Sequence, residues 1–344
     1  MNNRIFWAIE EIAIRETGQI DPPTTVFGSG DIIFGAQSVA LTTTFNLEQI
    51  FQLGQLEIYE NIENLPDVEL TVEKVLDGYG LIYHKATPTA TDATLIGRAS
   101  TNRCDTAMSI FDEGQSFASG TPISEVFCSG MYINTLTYTL PVDGNCTESV
   151  SFVGNDKWWS TANWSLTGHM GVGSGTPVEP LSSAGGVQRR ENVKMSACRW
   201  PTEIPGISAS GTNNNFEDEG VDAARIQNVT VSVDLGRTDL YELGLRKPYY
   251  KYPDWPVEVT TAIEIIGTKG DFVDALSSAA ANLTDQYIYV ETDDGLTIDT
   301  GTKNKLASVD FGGADAGGGN ATITYNYSNW NILEVKHPYD PAGL

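Results

Sequence analysis

Four stretches of the chain alternate apolar and polar residues with a period of two, the pattern that turns one side of a strand to a core and the other to water. In Val68-Glu69-Leu70-Thr71-Val72-Glu73 the apolar side chains fall on one face and the polar ones on the other. Leu136, Tyr138 and Leu140 alternate with Thr135, Thr137 and Thr139, and Val229, Val231, Val233 and Leu235 form a third run. In the fourth, Val257, Val259, Ile263 and Ile265 stand opposite Glu258, Thr260 and Glu264. These runs predict half-buried strands of antiparallel sheets. One short apolar stripe has helical spacing: Phe272, Ala275, Leu276 and Ala279 predict a helix from Asp271 to about Ala281, capped by Asp271.

The runs recur in order. Gln37-Ser-Val-Ala-Leu41 resembles Gln227-Asn-Val-Thr-Val231 at an offset of 227 − 37 = 190. At that offset Leu53-Gly54 meets Leu243-Gly244, Tyr59 meets Tyr249 and Pro66 meets Pro256. One residue of slippage aligns Val68-Glu-Leu-Thr71 with Val257-Glu-Val-Thr260. Ile133-Asn-Thr-Leu-Thr-Tyr138 then matches Leu306-Ala-Ser-Val-Asp-Phe311 at 306 − 133 = 173, and Gly144-Asn-Cys-Thr147 matches Gly319-Asn-Ala-Thr322. The shared order predicts two tandem copies of one β domain, residues 1–186 and 187–344. The first carries longer connections at Ala86–Thr94 and Gly114–Thr121, and an ordered arm or loop is expected within Gly168–Asp222, too long for a plain linker.

Composition narrows the role. A chain of 344 residues, 40% hydrophobic and 19% charged, is long enough for two cores and is globular in character. Forty-five acidic residues against 20 basic ones give a net charge of −25, which repels nucleic-acid phosphates and anionic membranes alike. The opening residues MNNRIFWAIEE hold no apolar signal core, and no apolar run is long enough to span a bilayer. Cys104, Cys128, Cys146 and Cys198 are widely spaced without a CxxC pair and read as reduced thiols, Cys146 as a small packing residue aligned with Ala321. The six Asn-x-Ser/Thr sequons reflect Asn- and Thr-rich strands and turns.

Catalytic chemistry is not indicated. His84, His169 and His337 have no metal-ligand spacing and are expected at the surface or in loops. The glycine cluster from Gly312 to Gly319 lacks the Lys-Ser/Thr of a phosphate loop and sits where a hairpin turn belongs. Asp293-Asp294-Gly295 and Glu217-Asp218-Glu219-Gly220 lack calcium-loop spacing and read as solvated acidic turns. Trp158, Trp159 and Trp164 suit packing between subunits, or sugar stacking in a rival reading. No catalytic, cofactor or metal residues are assigned, and the chain reads as a non-enzyme.

The segment QNVTVSVDLGRTDLYELGLRKPYYKYP (Gln227–Pro253) with the following WPVEVTTAIEI resembles tail tube (major tail) proteins of tailed bacteriophages. So do Gly301–Tyr327, Glu148–Trp159 and NLPDVELTVEKVLDG, which together span most of both halves. The resemblance implies a mainly β fold: two tandem sandwich-like domains, each with a small helix, whose strands close an inner β-barrel across subunits. Rings of six domains, from three duplicated chains or from a homohexamer, would stack into a virion tail tube that carries DNA without reading it. Tail sheath, tape measure, baseplate and tail terminator proteins are the implied partners, with no membrane and no cofactor. Glu69, Thr71, Glu73, Glu258, Thr260 and Glu264 are candidates to line the lumen. Arg237, Arg246, Lys247, Trp158 and Trp159 are candidates for contacts between subunits. The rival is a baseplate, capsid-decoration or carbohydrate-binding β-module of a virion.

Overall fold

Antiparallel strands make up nearly all of the regular secondary structure of the protein; its structure is a computed structural model that describes residues 10–17, 27, 31–88, 102–112, 122–160, 186–207, 224–268, 270, 271, 273, 284–313 and 319–339. The fold is mainly β. In the first half the elements are β1 (Glu10–Thr17), β2 (Ala36–Thr44), β3 (Leu47–Phe51), β4 (Ile58–Glu63), β5 (Asp67–Val75), α1 (Ile82–Ala86), β6 (Arg103–Ile110), β7 (Ser124–Pro141), β8 (Thr147–Gly154) and β9 (Asp156–Ser160). The second half contributes β10 (Ile226–Asp234), β11 (Arg237–Leu240), β12 (Tyr250–Pro253), β13 (Glu258–Ile266), β14 (Tyr289–Glu291), β15 (Thr297–Asp299), β16 (Lys305–Gly312), β17 (Thr322–Trp330) and β18 (Glu334–Lys336).

One sheet runs through both halves in the order β16-β17-β13-β10-β7-β8-β5-β2. It consists of two sets of four strands in the same internal order, β7-β8-β5-β2 and β16-β17-β13-β10, joined where β7 pairs with β10. Both sets carry their irregularities at matching places. β2 slips against β5 at Gln37, and β10 slips against β13 at Gln227. Each Gln turns its amide back to the two preceding carbonyls, Gly35 and Ala36 in one set and Arg225 and Ile226 in the other. The second bulge falls at Asn134 in β7 and at Ala307 in β16. A further bond recurs beside the sheet: Leu76 N–H donates to Cys146 O, and Gly267 N–H to Ala321 O.

β7 is long enough to serve two sheets. Its first residues pair with β6 and β9 and its last with β8 and β10. The change comes at Gly130, whose φ of 64° suits glycine and whose N–H donates to Asp105. The main sheet buries Leu70, Val72, Val150, Phe152, Leu136, Tyr138, Val231, Ile263 and Tyr325 in a cluster that also takes in Trp200, Val290 and Val335.

The predicted alternations became β5, β7, β10 and β13, and the glycine cluster lies between β16 and β17 as a hairpin connection. Most of the helix expected over Asp271–Ala281 lies outside the described residues. Its start, Asp271, accepts a hydrogen bond from Val273 N–H. The insertions at Ala86–Thr94 and Gly114–Thr121 also lie mostly or wholly outside, as does most of Gly168–Asp222. The described part of that segment, 186–207, ties the halves together. Gln188 exchanges backbone bonds with Leu76 and Cys146, and Arg199 does so with Tyr289.

The helix α1 had no sequence signal. Its cap position is Leu81, which offers no side-chain bond, so its first N–H groups are satisfied from the sheet. Glu148 of β8 is fully buried and accepts from Ile82 N–H at 2.7 Å, Tyr83 N–H at 3.2 Å and the Tyr138 hydroxyl at 3.0 Å. Burial pushes its carboxyl pKa up, while the nearby Lys74 ammonium and these bonds pull it down. Lys74 is itself buried, 3.2 Å from Asp77 and 3.1 Å from Gly80 O. Removing one member of such a set strands the remaining buried charge and donors. Glu148→Ala is therefore expected to destabilise the chain by about 3–5 kcal/mol in urea denaturation, with Glu148→Gln costing less because its amide oxygen still accepts.

Candidate functional site: a polar sheet face between two open edges

Residues directly opposite each other in an antiparallel pair share a face, so the pairing registers define the composition of each side of the sheet. One transverse row runs from Glu73 through Ser149, Thr137, Ser232 and Thr260 to Ser328. Glu69 and Thr71 lie beside it on β5, opposite Thr42 and Ala40 of β2, while Glu258 and Glu264 lie on β13, opposite Trp330 and Thr324. All six residues with lumen-lining potential thus fall on a single face. Hydrogen bonds stitch it across strands: Ser38 to Glu73, Thr135 with Ser151, Ser232 with Thr260, Ser328 to Glu258 and Asn326 to Asp310. On β2, β5, β8, β7, β10, β13 and β17 this face carries no Lys or Arg, and on β16 it carries Lys305, opposite Ser328. The face also carries Glu69, Glu73, Asp234, Glu258 and Glu264. The opposite face is apolar apart from buried polar residues such as Lys74, Glu148 and Thr261, and is covered by the core.

The path ends at β2 and β16, each of which has a sheet partner on one side only among the described residues. The difference between these edges and the internal joint is measurable in burial. At the joint Tyr138 pairs with Val231, and both are buried. The counterpart of Tyr138 is Phe311 on β16, which is 56% exposed, and the counterpart of Val231 is Leu41 on β2, half-buried.

The basic residues expected between subunits find partners within this chain, where the β11–β12 hairpin leans from the second half onto the first. Arg237 donates to Ile133 O at 2.9 Å and Lys251 O at 3.1 Å, with its guanidinium over the Tyr132 ring at 5.3 Å. Burial lowers its pKa to about 10. Arg246 donates to Glu63 O at 3.1 Å, and Lys247 pairs with Asp156. Trp158 meets Phe127 edge to face at 5.2 Å, whereas Trp159 is half exposed. Trp164 lies outside the described residues.

Several chemical expectations change. His84 and His337 are buried rather than superficial, because His84 bonds to Val335 O at 3.1 Å and His337 lies 3.9 Å from Asp294. His169 is outside the described residues, as is Glu217-Asp218-Glu219-Gly220. Asp294 is 2% exposed and not solvated, since its carboxylate accepts from Thr292 and from Leu296 N–H to form the turn. All four cysteines are buried thiols with pKa values raised by burial, Cys128 and Cys198 to about 11 and Cys146 to about 12. Among the described residues no cluster of three or more His, Cys, Asp or Glu is arranged to hold a metal, and no helix is long and apolar enough to cross a membrane. The two edges were not singled out in the sequence, although the repeat alignment that pairs Tyr138 with Phe311 holds the signal.

No family model and no curated protein sequence matches the chain. Solved structures with partial similarity include a chain of the six-fold-symmetrised anti-feeding prophage baseplate, 11% identical with TM-score 0.32 over 46% of this chain and 97% of that one. A chain of the anti-feeding prophage tube-terminating cap is 11% identical, with TM-score 0.34 over 47% of this chain and 94% of that one. A chain of an extracellular contractile injection system, from the PVC sheath–tube complex in its extended state, is 7% identical with TM-score 0.34 over 46% and 93%. Each likeness extends over less than half of this chain.

One buried acid lies next to the β2 edge. Glu11 of β1 is 5% exposed, and neither carboxylate oxygen has a hydrogen-bond partner among the described residues. It shares a groove with Ile33, Gly35, Gln37 and Val39. Burial first, and the Glu125 carboxylate second, raise its pKa to about 7. Glu125, itself raised by burial, is held by Ser109 at 3.2 Å. The folded state therefore holds a proton on Glu11 that the unfolded chain releases near 4.5, and that stabilisation is lost as pH rises towards 7. Glu11→Gln is expected to gain about 2–3 kcal/mol on wild type between pH 4.5 and pH 8, read from paired denaturation curves. A constant difference across that range would contradict the assignment.

Proposed function

We propose that the chain is a structural, non-enzymatic virion protein that pairs head to tail with copies of itself, closing rings that stack into a phage tail tube. The observation that carries this reading is the β7–β10 joint. The halves present the same strands in the same order, and the joint pairs the β16-equivalent of one half with the β2-equivalent of the other. The same operation applied again lays β16 of one chain against β2 of the next. This makes a heterologous contact, which closes into a ring when the rotation per step allows. In this reading residues 1–186 and 187–344 are tandem tube domains, and three chains make a ring of six. Three copies of the eight-strand path place twenty-four strands around it. At a strand spacing of ~4.8 Å, the inner barrel is about 40 Å across.

The two sheet faces support the same orientation. The apolar side is already covered, whereas the Thr-, Ser- and Glu-rich side is bare, as a lumen wall would be. A wall rich in acidic and hydroxyl groups, with Lys305 of β16 as the one cation on this face of its eight strands, offers DNA phosphates little to bind, so genome would slide along Glu69, Thr71, Glu73, Glu258, Thr260 and Glu264. Pairing the edges also satisfies two rows of backbone groups and buries Phe311, a change of about 1–2 kcal/mol from that ring alone. Sheath, baseplate, tape-measure and terminator proteins would meet the outer surface, the ends and the interior of such a tube.

The register of the joint supplies the test. Thr137 lies opposite Ser232, and their counterparts at the edges are Asp310 and Thr42. Directly opposite residues are about 4.5–5.5 Å apart at Cα, within reach of a disulfide. In a Thr42→Cys/Asp310→Cys double variant, mild oxidation should yield covalent species that stop at three chains, while each single variant stays uncrosslinked through these positions. Annular particles by electron microscopy without that crosslink would refute edge pairing. Chains that remain monomeric at all concentrations, uncrosslinked, would refute the ring.

A further inference from the structure

The β3–β4 hairpin is the counterpart of β11–β12, and its environment is different. Both hairpins keep one register at the offset of 190: Leu47 pairs with Glu63 as Arg237 pairs with Pro253, and Ile50 pairs with Glu60 as Leu240 pairs with Tyr250. β11–β12 lies on the neighbouring half, with Tyr250 edge to face on Tyr132 at 5.6 Å. Every residue from 44 to 64, by contrast, is exposed. Both tips are bare, Leu243 as fully as Leu53, but the stems differ: Leu47, Ile50, Glu60, Asn61 and Glu63 are exposed where Arg237, Leu240, Tyr250, Lys251 and Pro253 are half-buried or buried, and the apolar Phe51, Leu56 and Tyr59 add to the uncovered surface. A hairpin with that much bare apolar surface is built to be covered.

We infer that β3–β4 clasps the next copy of this chain in the way that β11–β12 clasps the first half, with Glu60 meeting Lys305. The inference rests on the ring reading, which it extends from the sheet edge to a second contact. The occupant follows from continuity with the internal interface. β11–β12 follows directly on β10 and reaches over β7, so β3–β4, following β2, reaches over whichever strand pairs with β2. That strand is β16 of the next chain. Tyr132 corresponds to Lys305, since Tyr132 and Ile133 lie opposite Val153 and Phe152 as Lys305 and Leu306 lie opposite Ser328 and Tyr327. Tyr250 corresponds to Glu60. The aromatic pair of the internal joint is thus replaced on both sides at once, by residues of opposite charge. Lys305 lies 3.1 Å from Asp285 with both side chains half exposed, so its ammonium can reach a second carboxylate. At the tip, Arg246 donates to Glu63 O, and the corresponding pair is the apolar Leu56 on Pro253. The Lys247–Asp156 ion pair has no charged counterpart, because Glu57 would face Asn331.

The test is a charge swap in the full chain. Glu60→Lys and Lys305→Glu each place like charges in contact and should raise the concentration needed for half-assembly about tenfold, measured by sedimentation at low salt. The double variant should return it to near the wild-type value. Both residues are exposed and the Lys305–Asp285 pair lies at the surface, so thermal denaturation of the monomers should change little, and Asp285→Asn alone should not impair assembly. Single variants that assemble like wild type would overturn the clasp and leave edge pairing standing. Impaired singles with no rescue in the double would show that Glu60 and Lys305 are not partners. Wild-type chains that form no rings at all would remove the ring reading together with the clasp.

Discussion

The pairing of β7 with β10 is the constraint from which the rest of the architecture follows. Seven residue pairs, from Asn228 opposite Pro141 to Asp234 opposite Thr135, fuse what would be two small sheets into one. A slip of one residue at this joint would turn Val229, Val231 and Val233 into solvent and bring Thr230 and Ser232 into the core, so the register is held by burial along its length. Because the joint fixes which face of each half is apolar, it also fixes that Glu69 and Glu258, far apart in sequence, share one side. Charge on that side is therefore a property of the joined sheet and not of either half.

The same joint explains why polar groups are buried where they are. A sheet covered on one face must pack its covering elements tightly against it, and the short α1 cannot cap itself. Glu148 supplies what the helix lacks, accepting two of its N–H groups. At the corresponding place in the second half, β17 carries Ile323, an apolar residue that pairs with Ile265 where Glu148 pairs with Lys74. One half thus holds its cover through a buried charged set and the other through aliphatic packing. Two copies of one strand pattern therefore tolerate different solutions beneath it.

How far the sequence disclosed this depended on the range of the signal. The period-two runs at Val68, Leu136, Val229 and Val257 were legible because alternation is local and burial enforces it. The sequence alignment of the repeat matches the registers at the bulges of Gln37 and Gln227 but not at Val68, which the registers place with Val259, two residues beyond the Val257 that the alignment chose. The sheet order was not legible, since nothing in β7 or β10 alone says that they are neighbours. Arg237 and Lys247 lie beside a Leu-Gly turn in a strongly acidic chain, which is what points them towards acidic residues of a neighbouring subunit. Once the halves are joined, those contacts lie inside one chain. The burial of His84, His337 and Asp294 was not legible for a related reason: elements distant in sequence cover them, such as β18 over α1, although His337 does lie in a loop and Asp294 in a turn. Where the structural description leaves out residues, as over most of Asp271–Ala281, the helical stripe remains an expectation.

A sheet that ends in open edges needs something to keep it from pairing with the wrong partner. Natural edge strands are guarded by Lys, Pro or inward charges. β2, reading AQSVALTTT, has none of these, and β16 has a single Lys at its start and one Asp on the polar face. The local guard is therefore weak, and the global one is strong. A net charge of −25 makes every encounter between two copies repulsive at long range, within a screening distance of about 10 Å at ordinary salt. In the proposed ring, the approach that buries Phe311 and Leu41, satisfies both edges and seats an exposed hairpin would supply the short-range contact to offset that repulsion. Nonspecific edge contacts offer less. If copies pair as proposed, the acidic surface raises the threshold for association and favours the geometry already realised at the β7–β10 joint.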